Sequence, residues 1–349
     1  MKKGTLFFAL VFAIGIFSQS CGGGESNAES GKNDSTAVAD TLDENEKVIE
    51  ELNQRIAKDP KNPNHYHERA YAYYRLGELE KAILDVDRCI SIDSTIPTFY
   101  FTKGEIYFAQ IKPELALEQY NKALKFKPDY WEAELKIGRI YMYLKNWKNA
   151  MEHINASLKI SPAQSEAYFM KGEIYEETGD TALAASSFQT ATEQNPDYYE
   201  AYIRLGILYA NAHSKLALDY YNTAIRLRPT SLEALYNKAI FCQSHEMPEE
   251  ALKLYDEMIE IKPNFELAWY NKGYVFLVVY QDFRSAISMF DKALEINPKY
   301  IDAYHNRGLA YESLREFKKA RLDYKKALEI DPAFELSAKA LDHLDQLGL

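Results

Sequence analysis

The sequence of 349 residues has few of the side chains that catalytic and metal sites use. It holds three cysteines and seven histidines, and no pair of them occurs with a carboxylate at the spacing of a metal site. A glycine-rich phosphate loop and a serine in a nucleophile-elbow sequence are also missing. Acidic residues outnumber basic ones by 52 to 41, so most of the surface would repel a polyanion. We therefore expect no enzyme activity, no cofactor, no bound metal and no nucleic-acid partner.

The first 41 residues lie outside the pattern that fills the rest of the chain. Two lysines precede an apolar run at 6–17, and Cys21 follows after three further residues. This order is typical of a secretory signal peptide, here 1–20, and the apolar run is too short for a comfortable transmembrane helix. The stretch 22–41 is rich in Gly, Ser, Asn and Glu and should behave as a flexible coil that spans roughly 25 Å.

From residue 63 to residue 334 the chain repeats one pattern of about 34 residues eight times. Position 8 is small, position 11 is aromatic in seven units, position 20 is alanine, position 24 is large and apolar, and position 32 is proline in seven units. The alanines are Ala82, Ala116, Ala150, Ala184, Ala217, Ala251, Ala286 and Ala320. Cys242 takes position 11 of the sixth unit, and Cys89 takes position 27 of the first. Both fall inside the packed pattern, so we expect buried thiols rather than a disulfide or a metal pair.

These offsets indicate paired helices. Small residues at positions 8 and 20 let two helices approach closely, and large residues at positions 11 and 24 fill the space beside them. Apolar residues recur at helical spacing within each half, as at Ala251, Leu254, Tyr255 and Met258. Proline ends the second helix because it cannot continue the helical hydrogen-bond ladder. Each unit is therefore predicted to be a helical hairpin, with a turn marked by residues such as Gly77.

The pattern resembles the tetratricopeptide repeat family, which shares the small, aromatic, alanine and proline residues at these offsets. The resemblance implies an all-α fold: a right-handed superhelical solenoid of eight helix-turn-helix repeats over 63–334, with flanking capping helices. Segments with apolar residues at helical spacing lie where such caps belong, at 42–62 and at 335–349. The first contains Val48, Ile49, Leu52 and Ile56, and the second contains Leu336, Ala340, Leu341 and Leu344.

Two features depart from the regular pattern. Position 7, leucine in the common form of the family, is basic in six units, as Arg69, Lys103, Lys171, Lys238, Lys272 and Arg307. We interpret these side chains as long stems that cover apolar surface while their charges reach water; a row of phosphate or carboxylate binders is the alternative. The fifth unit is one residue short near 211–216, and the seventh is one residue long near 278–283. Both changes fall between paired helices, where loops tolerate them and alter the local hairpin geometry.

The start of the chain resembles the signal and anchor of a bacterial lipoprotein, in which a cysteine becomes the lipidated first residue of the mature chain. The resemblance implies lipidation of Cys21, a flexible tether over 21–41 and attachment to the cell envelope. Lipoproteins retained at the inner membrane often carry aspartate directly after the cysteine, whereas this chain has Gly22, so the resemblance points to the outer membrane. Ordinary cleavage after Ser20, which would give a soluble exported protein, is the alternative.

Members of the resembled family bind partners in an inner groove lined by the first helix of each repeat. The residues that we expect to contact a partner are Tyr71, Tyr74, Phe108, Arg139, Tyr143 and Tyr274. A second set stands at position 5, which partly packs between helices. By their position alone these residues can serve either as packing or as partner contacts, and they are Phe101, Phe169, Tyr236 and Tyr270. An aromatic groove suits an extended peptide or a partner helix. We thus predict a non-catalytic, envelope-anchored scaffold that binds a protein or peptide of the cell envelope.

Two other functions are compatible with the same residues. Aromatic rings flanked by carboxylates also suit stacking on sugars, so glycan or peptidoglycan binding is the main alternative. A hydrolase that uses Glu173 and Glu177 is a third interpretation. The Lys and Asn clamp by which some family members bind chaperone C-termini is missing, because the first of the corresponding positions hold His67, Tyr71 and Thr102.

Overall fold

A computed structural model describes residues 47–349, and this part of the chain consists of helices joined by turns. It divides into two compact units, with the boundary after Gln110. The predicted signal peptide, Cys21, the tether and the start of the first capping helix lie outside the described residues. The first unit contains α1 (47–58), α2 (Pro63–Arg75), α3 (Leu79–Ile92) and α4 (Pro97–Ala109).

The second unit continues the alternation of first and second helices to the end of the chain. Its helices are α5 (Pro113–Phe126), α6 (Trp131–Tyr143), α7 (Trp147–Ile160), α8 (Ser165–Glu177), α9 (Thr181–Gln194), α10 (Tyr199–Asn211), α11 (Leu216–Leu227), α12 (Leu232–Ser244), α13 (Pro248–Ile261), α14 (Glu266–Val275), α15 (Phe283–Ile296), α16 (Ile301–Ser313), α17 (Phe317–Ile330) and α18 (Glu335–Gln346). A π-helical turn, Phe276–Tyr280, follows α14.

Consecutive helices pack in pairs, as the offsets predict. Helix α2 packs on α3 in the first unit, and the second unit has the pairs α6–α7, α8–α9, α10–α11, α12–α13, α14–α15 and α16–α17. Within such pairs the small residue at position 8 lies against the large residue at position 24. A Cβ atom added to Gly308 would lie 2.5 Å from a ring carbon of Tyr324, and one added to Gly138 would lie 2.8 Å from a side-chain carbon of Ile154. The all-α fold and the close approach of the helices are thus confirmed.

The basic residues at position 7 bind acceptors within the protein instead of extending to water. Lys103 Nζ donates to Asp87 at 2.6 Å, and Lys171 Nζ donates to the side-chain carbonyl of Asn155 at 3.0 Å. The other pairs are Arg69 with Asp85 and Asn53, Lys238 with Glu250, Lys272 with Asp256, and Arg307 with Asp291 and Asp323. Half of the acceptors lie on the second helix of the preceding repeat and most of the others on the second helix of the same repeat, and the ion-paired basic side chains are only 13–19% exposed. The prediction that these charges reach water is wrong, because a charge that loses its water needs an acceptor close by.

The turns between first and second helices share one backbone feature. Each contains a residue with left-handed backbone, and only Gly77 and Gly179 among these residues are glycine. The others are Ile111, Lys145, His213, Glu246, Gln281 and Arg315, with φ between 52° and 61°. This conformation costs a residue with a Cβ atom about 1–2 kcal/mol. Glycine therefore marks only two of the eight turns in the sequence.

The two changes of repeat length are accommodated in different ways. In the fifth repeat the second helix, α11, is 12 residues long, whereas the corresponding helix α13 has 14. In the seventh repeat the extra residue lies in the π-helical turn after α14, which closes before a left-handed residue at Gln281. The predicted change of hairpin geometry is confirmed in both repeats. The prediction that the extra residue of the seventh repeat lies in the loop is wrong, because a wider helical turn absorbs it.

The helices at the two ends of the described chain pack on their neighbours. In α1, Leu52 is buried and Ile56 packs on the core of the first repeat, whereas Val48 is exposed. In α18, Leu344 is completely buried in a cluster with Tyr324, whereas Leu336 is exposed. Each end helix therefore uses only part of the apolar set that its sequence indicates.

Within residues 47–349, no helix is both long and apolar enough to cross a bilayer, and no three or more His, Cys, Asp or Glu side chains form a metal-binding group. Both cysteines of this part are free thiols and completely buried, as expected. Burial raises the pKa of Cys89 to about 12 and that of Cys242 to about 11. Neither thiol is therefore reactive at neutral pH.

Replacing Ile111 by glycine should stabilise the protein. Ile111 is β-branched, 88% exposed and left-handed, so the change relieves backbone strain while it sacrifices little packing. We expect the free energy of unfolding, measured by urea denaturation, to rise by about 1 kcal/mol. Leu144→Gly is the matched control, because Leu144 is an exposed turn residue with φ −79° and should lose stability on the same change. A loss of stability in Ile111→Gly would contradict the strain argument.

Candidate functional site

We call the residues at positions 9, 12 and 13 of the first helices the first-helix face. All six residues predicted to contact a partner belong to it: Tyr71, Tyr74, Phe108, Arg139, Tyr143 and Tyr274. Three lie in the first unit, on α2 and α4, and three lie in the second, on α6 and α14. The face therefore has one part in each unit.

In the first unit, α2 places two of the rings side by side. The ring centroids of Tyr71 and Tyr74 are 6.2 Å apart, Tyr71 is 55% exposed, and burial raises the pKa of Tyr74. Tyr71 also lines an open cleft of about 380 Å³ between α1 and α2, together with Leu52 and His67. Phe108 is half-buried on α4. Tyr71 is thus the ring of this unit that is best placed to contact a partner.

In the second unit, α6 carries an exposed ring and a paired charge. Tyr143, at the end of the helix, is 50% exposed. One turn earlier, Arg139 forms an ion pair with Glu166 of α8, and its guanidinium lies near the sulfur atom of Met170. Tyr274 is half-buried on α14, four repeats farther along the chain. These residues share one face of the first helices but do not converge on a single point.

The aromatic residues at position 5 pack between repeats. The Phe169 ring lies 5.3 Å from that of Phe188 and 5.0 Å from that of Tyr198. The hydroxyl groups of Tyr236 and Tyr270 accept hydrogen bonds from asparagine side chains of the following repeat, at 3.4 and 2.8 Å. Of the two possibilities left open by the sequence, packing is therefore the one that the structure shows for these three rings.

A cluster of charges on α8 and α10 forms the most polar part of the face. Burial raises the pKa of Glu173, although the nearby guanidinium groups of Arg204 and Arg139 act in the opposite direction. Burial likewise raises the pKa of Glu176, whose carboxylate lies 3.4 Å from Arg204. Glu177 is exposed at the end of α8. The carboxylates outnumber the guanidinium groups, so this part of the face favours a cationic ligand.

Sequence reasoning missed Arg204 as a member of this cluster. It stands at position 6 of its repeat, outside the positions chosen for the groove, and reaches Glu176 of the preceding repeat across the helix pair. The sequence signal for this pairing was the acidic segment 173–177 followed by a single arginine in the first helix of the next repeat. The contact joins position 12 of one repeat to position 6 of the next. That these two positions lie close together follows from the packing of neighbouring helices.

The half-buried carboxylate of Glu173 should make stability depend on pH. Because burial raises its pKa above the ordinary 4.5, the ionised group destabilises the folded state at neutral pH, and this cost disappears as the pH falls through the folded pKa. We expect Glu173→Gln to raise the melting temperature at pH 7.5, and the gain over wild type to vanish below pH 4.5. Glu177→Gln is the control and should give no comparable gain, because Glu177 is exposed. A gain of equal size at every pH would contradict this explanation.

Comparison with family models identifies the repeats. Three models, each described as a tetratricopeptide repeat, match the chain: one at residues 301–334, a second at 66–96 and 165–198, and a third at 101–165. These matches fall in the first, second to fourth and eighth of the predicted repeats. Among curated proteins, none matches the sequence.

Solved structures that are similar to this chain come from several bacteria. A structure of pilF from Pseudomonas aeruginosa is 16% identical, with a TM-score of 0.52, and the match covers 59% of this chain and 94% of that one. A tetratricopeptide repeat protein from Parabacteroides merdae is 18% identical, with a TM-score of 0.49 and coverage of 70% and 97%. The C-terminal part of a repeat-containing protein from Cytophaga hutchinsonii is 20% identical, with a TM-score of 0.42 and coverage of 87% and 98%.

Repeats of this kind typically build non-catalytic scaffolds that bind protein or peptide partners. The helix pairs, the small residues at position 8 and the buried alanines at position 20 are the structural basis of that architecture in the described residues. With the family models and the helical pairs in agreement, the chain belongs to the tetratricopeptide repeat family.

Proposed function

We propose that this protein is a non-catalytic scaffold of the cell envelope that holds a partner protein on its first-helix face. The observation that carries the proposal is the exposure of Tyr143 beside the ion pair of Arg139 and Glu166. Half of an aromatic side chain stays in water there, whereas the rings at position 5 are packed. Tyrosine and arginine are the residue types that most often anchor a partner at protein interfaces.

The proposed ligand is an extended peptide or a helix presented by the partner. The helices that carry the face are held in place by buried alanines and ring packing, so the binding surface is ordered before the partner arrives. A pre-ordered surface reduces the conformational entropy lost on association. Tyrosine adds a large contact area at little entropic cost, because it has only two side-chain torsions to fix.

The charges on α8 favour a partner segment that is positively charged. Glu173, Glu176 and Glu177 occupy one stretch of the face, and Arg139 and Arg204 only partly balance them. A partner segment that crosses α8 should therefore carry lysine or arginine. Opposite charges of this kind mainly raise the association rate and exclude wrong partners, so binding should weaken as salt is added.

Attachment to the envelope belongs to the same proposal and rests on the sequence. Lipidation at Cys21 would anchor the chain in the outer membrane, and the tether over 21–41 would let the repeats stand away from the bilayer. A scaffold held near a membrane meets its envelope partners at high local concentration.

Removing aromatic rings from the face should weaken partner capture. We expect Tyr143→Ala combined with Tyr274→Ala to lower the affinity for the captured partner at least tenfold, since truncating an anchor residue costs about 2 kcal/mol or more. The partner is first isolated from solubilised envelopes by a photocrosslinker at position 143 in the full-length chain, and its affinity is then measured by calorimetry. Helical content should not change.

Leu183→Ala and Leu322→Ala are the matched controls, because both leucines are exposed on second helices, α9 and α17. They should leave the affinity unchanged. Equal affinity of the double tyrosine variant and wild type would exclude this face as the binding surface. Oligosaccharide fragments that quench tyrosine fluorescence, with no protein crosslinked at position 143, would instead support the glycan-binding alternative.

Lipidation is tested by growing expressing cells with labelled palmitate. We expect the label in the full-length protein and none in Cys21→Ala, because the thiol is the acceptor in this kind of anchor. Fractionation should then find the wild type with the outer membrane and the variant in the soluble fraction. Label that persists in the variant would contradict the assignment, and absence of label from both would favour cleavage after Ser20.

A further inference from the structure

The aromatic ring at position 11 fills a gap between neighbouring second helices. In the fifth repeat, the Tyr209 ring stacks on that of Tyr220 of α11, with 5.2 Å between centroids. Its hydroxyl oxygen accepts a hydrogen bond at 2.9 Å from the amide of Gln189, which lies on α9 in the preceding repeat. The ring therefore closes the space that α9, α10 and α11 leave between them.

Other repeats fill the corresponding space with rings of their own. The Tyr141 ring stacks on the imidazole of His153, with 5.6 Å between centroids, and the ammonium group of Lys319 lies 5.1 Å from the centroid of Tyr311. Position 7 takes part as well, since the ammonium group of Lys103 lies 5.6 Å from the centroid of Tyr107. An aromatic ring at position 11 is thus a regular part of this packing.

The sixth repeat lacks this ring and contains a cleft instead. Position 11 is Cys242, and an open cleft of about 460 Å³ lies among α11, α12 and α13. Its lining includes Leu218 and Asn222 of α11, Lys238 and Cys242 of α12, and Met247 and Glu250. A thiol has far less volume than a phenol ring, and Met247 packs against the core cluster that contains Cys242, so the thiol at the base of this cleft is fully covered.

One polar group of the cleft stands at the repeat position whose amide binds a phenol hydroxyl in the neighbouring repeat. Asn222 stands at position 25 of the fifth repeat, which corresponds to Gln189 in the fourth. Gln189 donates the hydrogen bond to the Tyr209 hydroxyl, and Asn222 is exposed and lines the cleft. An aromatic ring that enters the cleft in the orientation of Tyr209 would therefore bring its hydroxyl towards an amide donor.

The wall of the cleft can adjust to a ligand. Met247 replaces the polar residues that stand at the same turn position in other repeats, such as Asn146, Asp180 and Glu316. It packs half-buried against the core cluster that contains Cys242 and against the one that contains Tyr221. Methionine is flexible, and its sulfur makes favourable contacts with aromatic rings.

We propose that this cleft is a second binding site, which receives a tyrosine side chain presented by a partner protein. The incoming ring takes the place that the chain's own ring occupies in the other seven repeats, and Asn222 hydrogen-bonds its hydroxyl. The site is separate from the first-helix face, because the residues of α12 on that face, Ile240, Gln243 and Ser244, do not line it. It therefore stands whether or not the first-helix face binds a partner.

The test uses the full-length protein and p-cresol, the side-chain analogue of tyrosine, with toluene as the analogue of phenylalanine. Binding is followed by the methyl resonance of Met247. We expect saturable binding of p-cresol in the millimolar range and weaker binding of toluene. Cys242→Tyr should abolish p-cresol binding, because its own ring takes the place of the ligand, whereas Cys242→Ser should bind as wild type does.

Asn222→Ala provides a test that does not disturb the core, because Asn222 is exposed. It should weaken p-cresol binding about two- to tenfold, the contribution of one hydrogen bond, and leave toluene binding unchanged. The proposal is overturned if p-cresol gives no saturable shift, if Cys242→Tyr folds and still binds it, or if Asn222→Ala weakens neither ligand. If Cys242→Tyr does not fold, the comparison of the two ligands in Asn222→Ala decides the matter.

Discussion

The close approach of the two helices within each repeat is the constraint on which the rest of the structure depends. It requires a small residue at position 8, an alanine at position 20 and a ring or large aliphatic residue at position 24. Gly308 shows how little space is left, since even one added carbon would lie 2.5 Å from the Tyr324 ring. Because this packing leaves no free space on the inward side of each helix, a partner must bind at the remaining positions.

Contacts between repeats combine apolar packing with polar pairs. Some basic side chains at position 7 bind acceptors of the preceding second helix, as Lys103 binds Asp87, and asparagine side chains reach tyrosine hydroxyl groups of the preceding repeat, as Asn306 reaches Tyr270. A charge left without its partner in such a site is far more costly than the intact pair, so these pairs favour one arrangement of neighbouring repeats. They explain why a leucine position of the family can be basic in six of these repeats.

The candidate sites lie where side chains take no part in this packing or where the packing leaves a cleft. Tyr143 and Tyr71 were predicted from their positions on the first helices and are exposed. Phe169 has the same chemical character but packs on Phe188, because position 5 points between the helices rather than along the face. The cleft at Cys242 is the reverse case, since a ring is missing where the packing normally supplies one.

The sequence by itself determined the period, the helical pairs, the α18 helix from Glu335 to Gln346 and the burial of both thiols within the repeats. These features follow from offsets of at most a few turns, so local spacing is sufficient to recognise them. Only the tertiary structure decided which rings stay exposed, that Arg204 faces Glu176, that an extra residue widens a helical turn, and that a cleft opens beside Cys242. Each of these depends on the distance between side chains of different helices, which the spacing of residues along the chain does not specify.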